Sequence, residues 1–143
     1  MTIAAILAAK GNEVVMVSDT MVIRDVIALL HNRRIGAVLV TDAGGDVVGV
    51  LSERDIIHGL AARGADLLDQ TAREIMTSPV VTCRPTDSVA DVMTLITQRR
   101  FRHVPVVDEG RLLGIVSIGD LVKRRIEDIE QETEALKSYI ATS

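Results

Sequence analysis

The chain has 143 residues, enough for a single domain, and its core must be aliphatic because 48% of the residues are hydrophobic and only 1% are aromatic. The scarcity of aromatic side chains argues against a stacking surface for single-stranded nucleic acid, and the net charge of −4 disfavours general binding to nucleic acid or anionic membranes. The single cysteine excludes an intrachain disulfide and is typical of a reducing compartment. No apolar run approaches the roughly 20 residues of a membrane span. A soluble, cytoplasmic protein is therefore predicted.

The first half of the chain predicts an N-terminal helix followed by the order strand, helix, strand, strand, helix. Helices are indicated by apolar residues at three- and four-residue steps, and strands by short β-branched runs. Thr20 and Ser52 are placed to cap helices, and Gly11 is placed to end the first helix. In order, the predicted elements are a helix at Thr2–Lys10, a strand at Val14–Val17, a helix after Thr20, strands at Gly36–Thr41 and Val47–Leu51, and a helix from Ser52 to about Arg63.

The second half predicts the same order of elements. After a turn of helix at Ala72–Met76 come a strand at Val80–Cys83, a helix at Thr86–Gln98, strands at His103–Val107 and Arg111–Val116, and a last helix starting near Ser117. Strands rich in valine on both faces predict a sheet covered by helices, hence an α/β fold of two pseudo-symmetric βαββα repeats packed side by side. The predicted boundaries are 1–13 for the N-terminal helix, 14–70 and 71–125 for the repeats, and 126–143 for a C-terminal helix extension.

The two halves also share residues. Thr20–Asp42 aligns with Thr86–Asp108, and nine of these 23 pairs are identical. Further along, Gly49–Asp55 aligns with Gly114–Asp120, and both segments contain Gly-x-x-Ser-x-x-Asp. Arginine pairs close the first helix of each half, where cations offset the helix dipole. These pairs are Arg33-Arg34 and Arg99-Arg100.

The repeated Ser-x-x-Asp allows two interpretations. Ser52 with Asp55, and Ser117 with Asp120, each follow a predicted strand and open a predicted helix. A serine N-cap with an acid three residues later is a capping box, which stabilises a helix by ~1 kcal/mol. The same helix N-terminus also favours phosphate, and the aspartate can accept the hydroxyls of a ribose. Both interpretations stay open, although two copies of the glycine, serine and aspartate favour a ligand.

The ordered set of motifs resembles a tandem pair of CBS domains, the small stand-alone form of a Bateman module. The resemblance rests on "GVLSERDII", "HVPVVDEGRLLGIVSIGDLV", "REIMTSPVVTCRPTDSV" and the opening "ILAAKGNEVVMV", and it covers about Val14–Arg124. It implies binding of an adenosine-containing ligand in clefts between the repeats. AMP is the first expectation, and ATP, ADP and NAD(H) are the others. It also implies a homodimer.

The resemblance carries site roles onto particular positions. It assigns the ribose hydroxyls to Asp55 and Asp120. It assigns phosphate to Ser52, Arg54, Ser117, Arg102 and His103, and the adenine pocket to Val14, Val15, Val80 and Val81. Arg102 and His103 stand where the first repeat has Gly36 and Ala37, so the two clefts are expected to differ in charge.

The function expected from these residues is regulatory. The module would bind an adenosine nucleotide and signal to an unknown protein partner by a conformational change. The alternative is a structural homodimerisation module without a physiological ligand. Catalysis is not expected because no base lies near the serines to activate them. No metal is expected either, because the three histidines lack metal-ligand spacing.

The last helix carries a heptad pattern beyond the matched repeat. Apolar residues and one threonine recur at steps of 4, 3, 4, 3 and 4, which is the seam of a coiled coil. The seam residues are Val122, Ile126, Ile129, Thr133, Leu136 and Ile140. Self-association through this seam is predicted, with packing of the helix on its own domain as the alternative.

Overall fold

The computed structural model describes residues 1–99 and 101–142, which leaves Arg100 of the second arginine pair and Ser143 outside the described residues. The chain forms two compact units: one spans Val14–Val81, and the other joins Met1–Glu13 to Thr82–Ser143. We call them the first-repeat unit and the second-repeat unit. The N-terminal helix therefore belongs to the same compact unit as the second repeat.

The elements follow the predicted mixed α/β order except for the strand predicted at Val80–Cys83, and both terminal helices are present. They are α1 (Ile3–Lys10), β1 (Met16–Ser18), α2 (Ile23–Arg33), β2 (Ala37–Thr41), β3 (Val47–Ser52), α3 (Glu53–Arg63), a 3₁₀ helix (Gly64–Asp69), α4 (Ala72–Ile75), α5 (Val89–Arg99), β4 (His103–Asp108), β5 (Arg111–Ser117) and α6 (Ile118–Thr142). No helix in the described part of the chain is both long enough and apolar enough to span a membrane.

The first-repeat unit is built on a three-stranded sheet in the order β1-β2-β3. β1 runs parallel to β2, and β2 runs antiparallel to β3. Three successive residues of β2, Val38 to Val40, are buried, so both faces of this strand are covered. The second-repeat unit has the antiparallel pair β4-β5, and its core includes Ile3, Ile6 and Leu7 of α1.

The predicted starts of two helices were wrong. α2 begins at Ile23 and not after Thr20, and α5 begins at Val89 and not at Thr86. Backbone carbonyls remote in sequence bind the first N–H groups: Ile23 donates to Gln70 at 2.7 Å, and Val89 donates to Met1 at 2.9 Å. These distant carbonyls satisfy the donors that a local cap would otherwise serve.

The predicted strand at Val80–Cys83 was also wrong. Only Cys83 pairs there, in an isolated parallel bridge to Val106. The next N–H, that of Arg84, donates instead to the side chain of Asp87 at 2.8 Å, and Pro85 has no N–H to donate. Cys83 is buried, and burial, followed by the nearby Asp87 charge, raises its pKa to about 12, as expected of an unreactive core thiol.

The long helix α6 has one buried face and one exposed end. Leu121 and Asp128 are buried against the second-repeat unit, and Arg124 lies between them with Nε 3.4 Å from Asp128 Oδ1. Every residue from Ile129 to Thr142 is exposed. The end of α6 therefore stands clear of the packed part of the chain.

Candidate functional site

The first Ser-x-x-Asp turn lies where β3 runs directly into α3. Ser52 is the N-cap, its Oγ accepts the Asp55 N–H at 3.3 Å, and its own N–H donates to Asp55 Oδ2 at 2.9 Å. Thr77 adds a third contact, because its Oγ1 donates to Asp55 Oδ1 at 2.9 Å. The capping box therefore forms, and the Asp55 carboxylate is fixed through both of its oxygens.

The second turn, between β5 and α6, repeats this geometry with a different third partner. The Ser117 N–H donates to Asp120 Oδ2 at 2.8 Å, and the Asp120 N–H donates to Ser117 Oγ at 3.1 Å. Here Lys10 of α1 takes the role of Thr77. Its Nζ donates to Asp120 Oδ2 at 2.6 Å and to the Ile115 carbonyl at 2.9 Å. None of the described hydrogen bonds reaches Asp120 Oδ1.

Strand register brings two of the predicted phosphate residues to the second turn. His103 lies opposite Ser117 in the β4-β5 pair, and the Arg102 carbonyl accepts the Ile118 N–H at 2.8 Å. In the first-repeat unit the same backbone contacts are made by Ala37, which lies opposite Ser52, and by the Gly36 carbonyl. The two turns thus share a backbone frame, but only the second one has Arg102 and His103 in it.

The repeated glycine has a packing reason in both units. A Cβ on Gly49 would lie 2.8 Å from Met76 Cγ and 3.0 Å from the Thr77 carbonyl oxygen. A Cβ on Gly114 would lie 2.8 Å from Leu7 Cδ2. Because the glycines lack a side chain, the segment with Met76 and Thr77 can lie close to β3, and α1 can lie close to β5. The approach places Thr77 beside Asp55, and α1, with Lys10, beside Asp120.

The ion pair with Lys10 controls the protonation of Asp120. Burial of the carboxyl would by itself raise its pKa, but hydrogen bonds from Lys10 and Ser117, together with the Lys10 charge, outweigh burial and hold the pKa below its ordinary range. The side chains of Lys10 and Asp120 are 35% and 26% exposed, so solvent screens the pair. Asp120 is therefore a carboxylate at neutral pH.

Replacing Lys10 with methionine is expected to reduce stability by up to ~1 kcal/mol at pH 7. Because the folded pKa of Asp120 is depressed, its stabilising contribution is present above the unfolded pKa and is lost as pH falls through the folded value. The difference between native and variant proteins should therefore shrink in acid, below about pH 4. Urea unfolding at a series of pH values measures it, with Lys123→Met as the control. A difference independent of pH would contradict the assignment.

Two cavities lie near these elements. The smaller one, about 120 Å³, is next to Asp120 and is too small for a nucleotide. It is lined by Ile6, Ala9, Lys10, Asp120, Lys123, Arg124 and Glu127. The larger one, about 900 Å³, lies in the first-repeat unit among residues of α2 and α3, including Leu30, Ile56 and Leu60. None of the predicted site residues lines the larger cavity.

The remaining predicted site residues are Arg54 and the four valines of the adenine pocket. Arg54 is exposed on the first turn of α3. The four valines assigned to an adenine pocket are all half-buried, and their role stays a prediction. Among the described residues, no group of three or more acidic, histidine or cysteine side chains could hold a metal ion.

The sequence did not reveal two residues of these turns. Thr77 belongs to a Met-Thr pair that contributed to the family resemblance, and its contact with Asp55 spans 22 residues. Lys10 looked like a cation that closes α1, and its contact with Asp120 spans 110 residues. Only the folded chain shows that they occupy equivalent places at the two turns.

Comparison with known proteins agrees with this doubled architecture. A family model described as the CBS domain matches residues 10–62 and again 72–127. The chain belongs to the CBS-domain family. Its two copies form a tandem CBS pair, as the sequence motifs predicted.

Solved CBS structures share the fold. A CBS-domain containing protein from Agrobacterium tumefaciens is 44% identical, with a TM-score of 0.83 over 87% of this chain and 92% of that one. The CBS domain pair of protein MJ0100, solved in complex with 5′-methylthioadenosine and S-adenosyl-L-methionine, is 25% identical, with a TM-score of 0.77 over 90% of this chain and 98% of that one.

A curated relative is longer than this chain. The mitochondrial CBS domain-containing protein CBSX3 of Arabidopsis thaliana is 29% identical over 120 residues, which are 81% of this chain and 58% of the relative. The chain therefore spans little more than half the length of that protein.

Proposed function

We propose that this CBS pair is a regulatory module that binds an adenosine-containing ligand at its Ser-x-x-Asp turns and signals to a partner protein. The observation that carries the proposal is the duplicated turn, in which a strand delivers a serine and an aspartate to a helix N-terminus in both units. The complex of MJ0100 with two adenosine derivatives supports the ligand class. The regulated partner is a protein of unassigned identity.

The capping box prepares each carboxylate for a ribose. Ser52 and Ser117 hold the aspartates in one orientation, so little side-chain entropy is lost when a ligand binds. Each carboxylate oxygen has two lone pairs, and Asp120 Oδ1 has no partner among the described hydrogen bonds. The helix N-terminus beside it favours the phosphate of a nucleotide. Capping and ligand binding are therefore compatible roles for the same residues.

The second turn is the better phosphate site. Lys10 contacts Asp120 there, and Arg102 and His103 stand at the strand start beside Ser117, whereas the first turn has Gly36 and Ala37 at the equivalent positions. Arg54 supplies the first turn with one exposed cation. We therefore assign ligands with more phosphate charge, such as AMP or ATP, to the second turn.

Lys10 couples ligand binding to a change in the position of α1. Its Nζ ties α1 to the start of α6 through Asp120 and to β5 through the Ile115 carbonyl. A ribose hydroxyl donating to Asp120 Oδ1 draws on the same carboxylate charge that Lys10 binds through Oδ2, and a phosphate offers Lys10 a second anion. Ligand binding would therefore loosen or redirect α1, which is a change in surface that a partner can read.

Calorimetric titration of the nucleotide-free chain with AMP, ATP, NAD and S-adenosylmethionine tests the proposal. Saturable binding of at least one ligand is expected. Lack of binding to all four would leave the two turns as helix caps and favour the structural alternative, because a complete capping box by itself accounts for serine and aspartate at these positions.

A further inference from the structure

The exposed end of α6 lacks the packing of an apolar face that stabilises most helices in proteins. From Ile129 to Thr142 it projects for roughly four turns without burying a residue. Isolated helices of this length are marginal in water, because helical stability comes mostly from packing of an apolar face. One intrahelical ion pair, Lys137 with Glu134 at 3.8 Å, joins exposed side chains in this end and adds little.

The apolar seam of α6 points away from the helix's own unit. Ile126, Ile129 and Leu136 are 51%, 46% and 60% exposed. At about 100° per residue, the seam lies roughly 110° around the helix from the buried face formed by Leu121 and Asp128. The seam is therefore open to another molecule along its length.

We propose that α6 pairs with α6 of a second copy of this chain in a parallel, in-register, two-stranded coiled coil. The seam then provides alternating core layers, with Ile126, Thr133 and Ile140 at the a positions and Val122, Ile129 and Leu136 at the d positions. The C-terminal layers, Leu136 at d followed by Ile140 at a, have the combination of leucine at d and a β-branched residue at a that favours two strands. Thr133 is the polar residue of the seam. Its hydroxyl can be buried there because it donates a hydrogen bond to the Ile129 carbonyl at 2.9 Å.

Charges flanking the seam select the parallel arrangement. In a parallel coiled coil, each g position faces the e position five residues later on the other helix. Arg125 then faces Glu130 of the partner subunit, and Glu132 faces Lys137 of the partner subunit. Both contacts join opposite charges, and the two-fold symmetry forms each of them twice.

The antiparallel arrangement brings like charges together. Alignment of the same seam layers places Glu130 against Glu130 of the partner subunit and Glu132 against Glu132 of the partner subunit. It also places Lys123 against Lys137 of the partner subunit. All three contacts are repulsive, so the sequence disfavours this orientation.

Within the described part of a single chain, three of these charged side chains form no ion pair. Within the described residues, no ion pair involves Arg125, Glu130 or Glu132. The acidic stretch from Glu127 to Glu134 repels itself in a lone helix. Because the pattern complements itself, the occupant is a second copy of this chain and not an unrelated helix.

Cysteine cross-linking tests orientation and register. Leu136→Cys places a thiol in a d layer, where it meets its own copy only if the helices are parallel and in register. Mild oxidation should convert most of this variant to a covalent dimer. The matched control Gln131→Cys, on the opposite side of the helix, should remain uncross-linked. Cys83 is 4% exposed and does not interfere.

Three outcomes would overturn the proposal. The first is no cross-link in Leu136→Cys, and the second is a cross-link that forms only when Leu136→Cys is mixed with Ile126→Cys, as an antiparallel pair requires. The third is a sedimentation mass of one chain or of three chains for the unaltered protein.

A charge exchange gives an independent test. Glu130→Lys should raise the dimer dissociation constant by about tenfold, since two attractive contacts become repulsive. Adding Arg125→Glu should restore native affinity, as only the parallel pairing allows. Glu134→Lys, which makes the same charge change away from the seam, should have little effect. Failure of the second substitution to rescue the first would also overturn the parallel assignment.

Discussion

Replacing both Asp55 and Asp120 with alanine is expected to abolish recognition of adenosine ligands while leaving the chain folded. A ribose hydroxyl bound to a carboxylate makes a charge-assisted hydrogen bond, and its loss costs roughly 2 kcal/mol or more, over tenfold in affinity at each turn. The same aspartate serves as a cap worth only about 1 kcal/mol of stability. Binding should therefore fail well before folding does.

Thermal unfolding with and without ligand measures this effect. A ligand at 100 times its dissociation constant stabilises the native site by about 2.7 kcal/mol, which raises the melting temperature by several degrees in a chain of this size. The native protein should show that shift, and the double variant should not. The single variants should each keep the response of the other turn.

A third Ser-x-x-Asp provides the matched control. At the start of α5, Ser88 Oγ accepts the Asp91 N–H at 3.0 Å, but no strand leads into this helix start. Ser88→Ala removes this cap, so it should lower stability as a lost cap does and retain the full ligand shift. If the double variant still responds as the native chain does, a ligand binds but at other residues.

Placing lysine at Ile129 and Leu136 is expected to convert the dimer to monomers. Each side chain buried in a seam contributes about 1.5 kcal/mol or more, and four are lost per dimer. The total, about 6 kcal/mol, corresponds to a rise of about 10⁴-fold in the dissociation constant. Sedimentation equilibrium across a range of protein concentrations measures the change.

The control is Gln131→Lys with Ser138→Lys, which adds the same two charges on the opposite side of α6. This variant should associate as the native chain does. A double seam variant that remains dimeric would show that another surface holds the copies together. The seam would then contribute nothing to association.

Local patterns were enough to predict the parts of the fold that depend on neighbouring residues. The capping box at Ser52 and the end of its helix at about Arg63 were both predicted and are both present. The short connection between the last two predicted strands is a tight turn in which Glu109 and Gly110 both have positive φ, 51° and 75°. In each case the donor, the acceptor and the required backbone conformation lie within a few residues of one another.

Errors occurred where distant backbone determines the local structure. Thr20 was placed as a cap, but the first N–H of α2 donates to Gln70, and no local signal encodes that carbonyl. The candidate site shows the same contrast between contacts made by neighbouring residues and contacts made by distant ones. The Ser-x-x-Asp geometry was predictable from spacing, whereas the Lys10 contact that helps to lower the pKa of Asp120 arises from packing of α1 onto the second repeat.

The most direct test of the central claim is calorimetric titration of the nucleotide-free native chain with AMP and with 2′-deoxy-AMP. The two ligands share the base and the phosphate and differ only in one hydroxyl that the aspartates are proposed to accept. Saturable binding of AMP, with the deoxy form weaker by tenfold or more, is the predicted result. Equal affinity for the two ligands, or no binding of either one, would contradict recognition of the ribose by Asp55 and Asp120.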